Sequence, residues 1–251
     1  MTEFTDKLAN KIFESSNYRS ASNELFSSYI SKTIGIESKL DRSTLKNLIS
    51  SAQIFYKSEI PKIKNEGAII LSMILDVFAE DSPDIIPIAN MIYVDSGDFP
   101  NINLLDRRYQ DVQFDYDFYS NARIDFRYKL NQIDEVKPTL TDFQRKLWKN
   151  LSSDVDVIPS APTSAGKTYV ILNYLIDRVM RSDGAFAAIV VPTRALISEV
   201  AGKIYELAMQ SNNGSEVEIC TIPKEGEFKN KTIFVMTQER LHEVLLRGDI
   251  T

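Results

Sequence analysis

The run Ala161-Pro162-Thr163-Ser164-Ala165-Gly166-Lys167-Thr168 lies between a short apolar alternation and a helical repeat, and that placement constrains the fold more than any other feature. Upstream, Asp154-Val155-Asp156-Val157-Ile158 reads as a strand. Downstream, a helix over 168–180 puts Leu172, Leu175, Ile176 and Val179 on one face. A Gly-Lys-Thr triplet at such a strand-to-helix turn lets backbone N–H groups wrap phosphate oxygens, with the positive end of the helix dipole behind them. Gly166 permits close approach of the backbone, Lys167 brings a cation to the β- and γ-phosphates, and the Thr168 hydroxyl can ligate Mg²⁺. Pro162, Thr163, Ser164 and Ala165 form the rest of the wrap. Ala161 stands where such loops usually begin with glycine, so the reading rests on the flanking elements as much as on the triplet. The competing reading is an ordinary turn with a surface lysine.

From Thr141 onward, helix and strand patterns alternate, which predicts a parallel sheet covered by helices. After the first helix come a nearly all-apolar strand over 186–191, a helix burying Ile197, Val200, Ala201 and Ile204, strands over 217–222 and 232–236, and a short helix carrying Leu241, Val244 and Leu245. Pro192-Thr193-Arg194 then falls at the carboxyl edge of the sheet, where ligands of such folds bind. A hydroxyl, a guanidinium and free helix N–H groups there suit a backbone phosphate, and they equally suit plain helix capping.

The first hundred or so residues read as helices. Leu45, Leu48, Ile49 and Ala52 form one stripe and Ile70, Met73, Ile74 and Val77 another, the second after a Pro61 placed for a first helical turn. These stripes read as the core of a helical region. Near residue 110 the period changes to two. Val112, Phe114, Tyr116 and Phe118 alternate with polar residues, Ser120-Asn121-Ala122 follows as a turn, and Ile124, Phe126, Tyr128 and Leu130 alternate again. That pattern predicts an antiparallel hairpin, acidic on one strand and basic on the other. Its aromatic face would pack on its own domain or stack nucleic-acid bases.

Composition removes several classes. With 43% hydrophobic and 25% charged residues, and few glycines and prolines, the 251-residue chain buries a core and is neither disordered nor collagen-like. A net charge of −6 argues against coating nucleic acid by bulk electrostatics, though not against a local basic site. The single cysteine, Cys220, and single histidine exclude an intrachain disulfide and a zinc finger. The longest apolar stretch, over 68–75, is interrupted by Ser72 and far shorter than the ~20 residues of a membrane helix. The expectation is no membrane span and a cytoplasmic location.

APTSAGKT, then VVPTRALISEV, then VMTQERL together resemble motifs I, Ia and the later threonine-containing motif of superfamily 2 (DEAD/DExH-type) helicases. The resemblance covers roughly residues 138–251. It implies an α/β fold in which a mostly helical region (1–108) and the hairpin with its linker (109–137) precede the N-terminal part of a RecA-like ATP-binding domain (138–251). It also implies ATP with Mg²⁺ as cofactors, Lys167 and Thr168 as catalytic groups, and coupling of ATP hydrolysis to movement along DNA or RNA, single-stranded in the first instance. Gln144, within Leu140-Thr141-Asp142-Phe143-Gln144, resembles the family's adenine-reading glutamine, while Thr141-x-x-Gln144 is also a capping box. Pro192, Thr193 and Arg194 look like the residues holding the sugar–phosphate backbone, and Thr237 and Arg240 like their later counterparts; Thr237 also reads as a plain N-cap.

One departure stands out. No Asp-Glu pair follows the loop, so the acidic motif II that completes Mg²⁺ coordination and orients water is missing, as are the arginine fingers of a second motor domain. The expectation is the N-terminal portion of a longer or split helicase, which needs its remaining domains in cis or in a complementing chain. Residues 1–108 are then a surface for a protein partner. A non-catalytic nucleotide-binding interaction module is the alternative.

Overall fold

A computed structural model describes residues 2–36, 40–110, 112, 115–153, 155–162, 165–181, 186–210, 216–222 and 231–247. The chain divides into two compact units, residues 1–131 and 132–251.

The first unit is helical: α1 (Thr2–Glu14), α2 (Ser16–Thr33), α3 (Arg42–Tyr56), α4 (Pro61–Phe78), α5 (Ile85–Ser96), α6 (Phe99–Arg108) and α7 (Phe118–Asn131). Its starts are chemically marked. Ser15 caps α2, Asp41 caps α3 through the Ser43 and Thr44 N–H groups, and Pro61 sits in the first turn of α4. The stripes read from the sequence meet in one core, where Leu48, Ala52, Phe55, Ile70, Ile74 and Val77 are buried together. Gly67 lets α3 and α4 approach closely, since a Cβ there would stand 2.8 Å from that of Phe55.

The expected hairpin is absent, and α7 takes its place. Ile124, Tyr128 and Asn131 lie four and three residues apart, which is one helical face; the two apolar residues pack on the core and Asn131 is fully buried. Phe126, which belongs with Ile124 in an alternating pattern, is exposed. Asp117 starts the helix, accepting from the Tyr119 and Ser120 N–H groups at 2.9 and 3.0 Å, so the residues expected to turn become a first helical turn. Arg123 pairs with the nearly buried Asp95 of α5 at 2.6 Å, and Arg127 donates to the Val94 carbonyl at 3.0 Å. The first arm of the expected hairpin includes Gln113 and Phe114, outside the described residues; Tyr116 lies before α7, and its hydroxyl accepts from Asn90.

The second unit is α/β. α8 (Asp142–Leu151) and α9 (Lys167–Arg181) precede β1 (Phe186–Val190), α10 (Arg194–Gln210), β2 (Glu218–Cys220), β3 (Thr232–Met236) and α11 (Gln238–Arg247). The three strands are parallel in the order β1-β3-β2, with Val190 opposite Met236 and Cys220 opposite Phe234. The central strand alternates its faces. Ile233 and Val235 pack with Leu172, Ile176, Ile197 and Ile204 of α9 and α10, while Phe234 and Met236 pack with Cys220 and Val244 under α11. Leu245, expected on the buried face of the last helix, is 55% exposed.

The strand expected over 154–158 does not form. Residues 155–160 are irregular, with Val155 and Ile158 exposed and Val157 half-buried against α8 and α9; Asp154 is outside the described residues. A strand is held by ladder bonds to a neighbour, and no described strand lies beside this segment. Among the described strands β1 lies at an edge, and Phe186, Ala188 and Val190 on one of its faces are exposed.

Candidate nucleotide and nucleic-acid site

Four residues separate the end of α9 from the start of β1, so α9 runs back across the sheet and its N-terminus lies toward the carboxyl ends of the strands. α10 follows β1 and α11 follows β3, so three helix N-termini point to that edge. Each presents free N–H groups and a positive dipole end.

Ala165 forms a tight turn with its N–H donating to the Pro162 carbonyl at 3.1 Å, and Gly166 follows with φ of +73°, a left-handed conformation that favours glycine. Lys167 opens α9. Its Nζ donates to the carbonyls of Ala161 and Pro162, the second at 2.8 Å, so the ammonium lies folded over the loop. Thr168 is exposed in the first turn. Thr163 and Ser164 lie outside the described residues.

Gln144 performs the capping role and one more. The Thr141 hydroxyl accepts from the Gln144 N–H at 3.2 Å, and Gln144 Oε1 accepts from the Thr141 N–H at 3.0 Å, which completes the capping box of α8. Its Nε2 donates to the Ala165 carbonyl at 3.3 Å. The amide also fills the space where a Cβ on residue 166 would project, 2.4 Å from Nε2. Trp148 and Tyr174, ring centroids 5.8 Å apart, help hold α8 against α9.

At the same edge the Val191 N–H donates to the Met236 carbonyl at 3.0 Å, which brings the segments after β1 and β3 alongside each other. Pro192, Thr193 and Arg194 are exposed there and Thr237 is 8% exposed. Arg240 is engaged with the protein itself, donating from Nη1 to the Thr221 carbonyl at 3.0 Å. Glu239 joins the cluster. Bonds from its own N–H and from the Thr237 hydroxyl, and then the charge of Arg194, hold its carboxyl below the usual value. The expected residues that are described thus gather as one loop group, around residues 144, 161–162 and 165–168, and one edge group, around 192–194 and 237–240. Sequence reasoning did not assign the acceptor carbonyls of Ala161, Pro162 and Thr221, because backbone acceptors leave no side-chain signature.

A glycine turn opening a helix beside a three-stranded parallel sheet gives this unit an α/β arrangement like that of P-loop domains. Residues 141–250 of this chain match the family model described as DEAD/DEAH box helicase. Two curated relatives are similar to it. An uncharacterized helicase of Caenorhabditis elegans is 36% identical over 89 residues, 35% of this chain and 5% of that protein. The ATP-dependent RNA helicase DBP3 of Scheffersomyces stipitis is 26% identical over 133 residues, 51% of this chain and 25% of that protein. The matched regions therefore span a quarter or less of these relatives. No solved structure matches the chain. Among the described residues, no helix is long and apolar enough to cross a membrane, and no group of three His, Cys, Asp or Glu side chains could hold a metal ion.

Proposed function

We propose that residues 138–251 are the ATP-binding part of an ATP-dependent nucleic-acid helicase or translocase of superfamily 2, acting together with further motor domains in cis or in a complementing chain. The observation that carries this reading is the ammonium of Lys167, at the N-terminus of α9, resting on the Ala161 and Pro162 carbonyls. Phosphate oxygens would replace those neutral acceptors with charged ones, and charge-assisted bonds are about twice as strong. The residues fit a nucleotide's phosphates, since the left-handed Gly166 and the tight turn at Ala165 open the backbone toward that cation. Pro162, Thr163, Ser164, Ala165 and Gly166 would wrap the phosphates, and Gln144 would meet the adenine with donor or acceptor capacity that its internal bonds leave free. Thr168 is the protein oxygen offered to Mg²⁺, whose remaining positions phosphate and water would fill. Bound ATP supplies the phosphoanhydride whose cleavage drives movement.

Pro192, Thr193, Arg194, Thr237 and Arg240 would hold the sugar–phosphate backbone of single-stranded DNA or RNA without reading bases. In this reading the helical region over 1–108 holds a protein partner, and the protein works in the cytoplasm.

Titrating ATP and Mg²⁺ into the chain and into Lys167→Ala tests the assignment. The variant loses nucleotide affinity if the reading holds, and equal affinity in both forms overturns it. The alternative reading is a nucleotide-binding interaction module without catalysis. Steady-state turnover measured with the remaining motor domains supplied separates the two, because only a motor then shows Lys167-dependent hydrolysis stimulated by single strands.

A further inference from the structure

The second unit carries a cavity of about 300 Å³ that the proposed ATP and nucleic-acid sites do not use. Its apolar floor comes from the C-terminal half of α9, where Ile176 is buried and Met180 half-buried, and from Leu207 of α10. Facing them is a tight turn, closed by the Val136 N–H donating to the Ile133 carbonyl at 3.0 Å, with Asp134 and Glu135 between. Asp177, also in the lining, lies roughly 15 Å beyond Lys167 along α9, so the cavity is remote from the loop group. α9 ends at Arg181 and α10 at Gln210, so the last turns of two helices border it with their negative dipole ends. The lining adds three carboxyls, Asp134, Glu135 and Asp177, against one cation, Lys137. One guanidinium is already held at this end: Arg181 donates from Nε to Asp177 at 2.8 Å and from Nη2 to Glu135, tying α9 to the turn. Burial still keeps the Asp177 carboxyl above its usual value, although Arg181 pulls it down. Asp134 is exposed and forms no hydrogen bond or ion pair among the described residues.

The geometry points to this cavity as the socket for one lysine or arginine side chain of a partner polypeptide, its stem along Ile176, Met180 and Leu207 and its charged head among Asp134, Asp177 and the two helix ends. Such side chains bury their methylene stems on apolar surface while the head stays with polar groups, which is the division this lining offers. The volume is at the low end for ligand pockets, so it suits a single side chain better than a nucleotide. A free polyamine, with a second cation at the far end of the same stem, would set that charge against the apolar floor. The socket is independent of the nucleotide reading, because it shares no residue with the loop group or the edge group.

The test is nuclear magnetic resonance of the full chain labelled at its Ile, Leu and Met methyl groups. Three compounds are titrated: acetyl-Leu-Arg-Leu-amide, its citrulline counterpart, which keeps the shape without the charge, and agmatine, which keeps the guanidinium and stem but replaces the peptide with a second cation. The arginine peptide is expected to shift the Ile176, Met180 and Leu207 methyl signals together and to bind about tenfold more tightly than the citrulline peptide. Asp134→Asn, which removes an exposed carboxylate, is expected to weaken it by up to about fivefold. Asn173→Lys, one helical turn before Asp177, supplies a cation from α9 itself and is expected to abolish binding, with a thermal melt to show that the fold is kept. Equal affinity for the arginine and citrulline peptides overturns the proposal, as does affinity unchanged in both variants. Agmatine binding as tightly as the arginine peptide makes this a small-cation site and overturns the partner. No shift of the three methyl signals at about 10 mM peptide, far above any useful affinity, overturns the socket.

Discussion

The side-chain amide of Gln144 donates to the backbone carbonyl of Ala165 at 3.3 Å, so the start of α8 and the turn before Lys167 share one hydrogen-bonding group. Its oxygen simultaneously closes the capping box on Thr141. The cap of one helix therefore fixes the backbone that leads into the next. Adenine recognition and capping are compatible in such an arrangement, because each half of an amide carries a second bonding position.

This double role predicts an asymmetry between two variants. Thr141→Val removes the forward half of the capping box and Gln144→Ala the reverse half, so each should cost about 1 kcal/mol of stability. The fluorescence of the sole tryptophan, Trp148, buried between α8 and α9, reports it during denaturation. Only Gln144→Ala also cuts the tie to Ala165. Amide exchange at Ala165 and Gly166 should therefore accelerate in Gln144→Ala beyond its rate in Thr141→Val, and equal rates would mean that the tie does not hold the loop.

A second prediction concerns the docking of α7. The Asp95 carboxylate is only 7% exposed and lies 2.6 Å from Arg123 of α7 and 3.6 Å from Lys57, both half exposed. Removing a buried partner is costly, but the cations left behind reach water, so Asp95→Ala should destabilise the first unit by about 1–3 kcal/mol. Chemical denaturation followed by circular dichroism checks this. Proteolysis should begin within 118–131, and unchanged stability with unchanged cleavage would show that the apolar contacts of Ile124 and Tyr128 suffice.

The legibility of the chain follows from how each segment is held. α9, β3 and the apolar faces of α3, α4 and α10 were readable because their periods match the burial they achieve, whereas β1 was readable as an apolar run although one of its faces is exposed. The segment over 118–131 was misread for a definite reason. Residues four apart share a face in a strand and in a helix, so Ile124 and Tyr128 satisfied both patterns, and Asp117 decided between them by capping a helical turn. Val155-Asp156-Val157-Ile158 has a strand's sequence but no described strand beside it, and local propensity does not supply ladder bonds. At the site, Lys167, Thr193 and Arg194 were visible as motif residues. The engagement of Arg240 with the Thr221 carbonyl depends on β2 and β3 meeting in register, which no local window reports.

Acid should weaken the caps of the first unit. Asp41 and Asp117 are held below the usual carboxylate value, first by the hydroxyls of Ser43 and Ser120 and then by N–H groups of the turns they start. A depressed folded-state value means that the unfolded chain takes up protons first. The stability these groups contribute is present above the ordinary aspartate value of about 3.9 and lost as pH falls through the lower folded value. Asparagine caps as well but does not titrate. Thermal melts between about pH 5 and pH 2.5 should therefore fall more steeply for the parent chain than for the Asp41→Asn, Asp117→Asn double variant. Parallel curves would assign the acid sensitivity to other groups.

The last prediction concerns the open side of the sheet. β1 pairs only with β3 among the described strands, so one of its edges carries unpaired N–H and C=O groups. One face of the same strand shows Phe186 at 38% and Val190 at 52% exposure, and Leu245 and Leu246 of α11 are exposed in the same unit. An apolar edge strand recruits another strand, and proteins usually blunt such edges with charge, proline or a covering element. Ala188 between the two large residues provides no such guard. The chain should therefore self-associate with rising concentration through β1, and placing a lysine on that face should suppress it. Val190→Lys changes an exposed side chain at the end of the strand, leaves Ala187 and Ile189 packed under α9 and α10, and preserves every ladder bond to β3. Sedimentation velocity over a concentration series should show association in the parent chain and a monomer in Val190→Lys, with thermal stability little changed. Association of equal strength in both would move the contact to another surface, for which the exposed Phe118, Tyr119 and Phe126 of α7 are the next to be replaced.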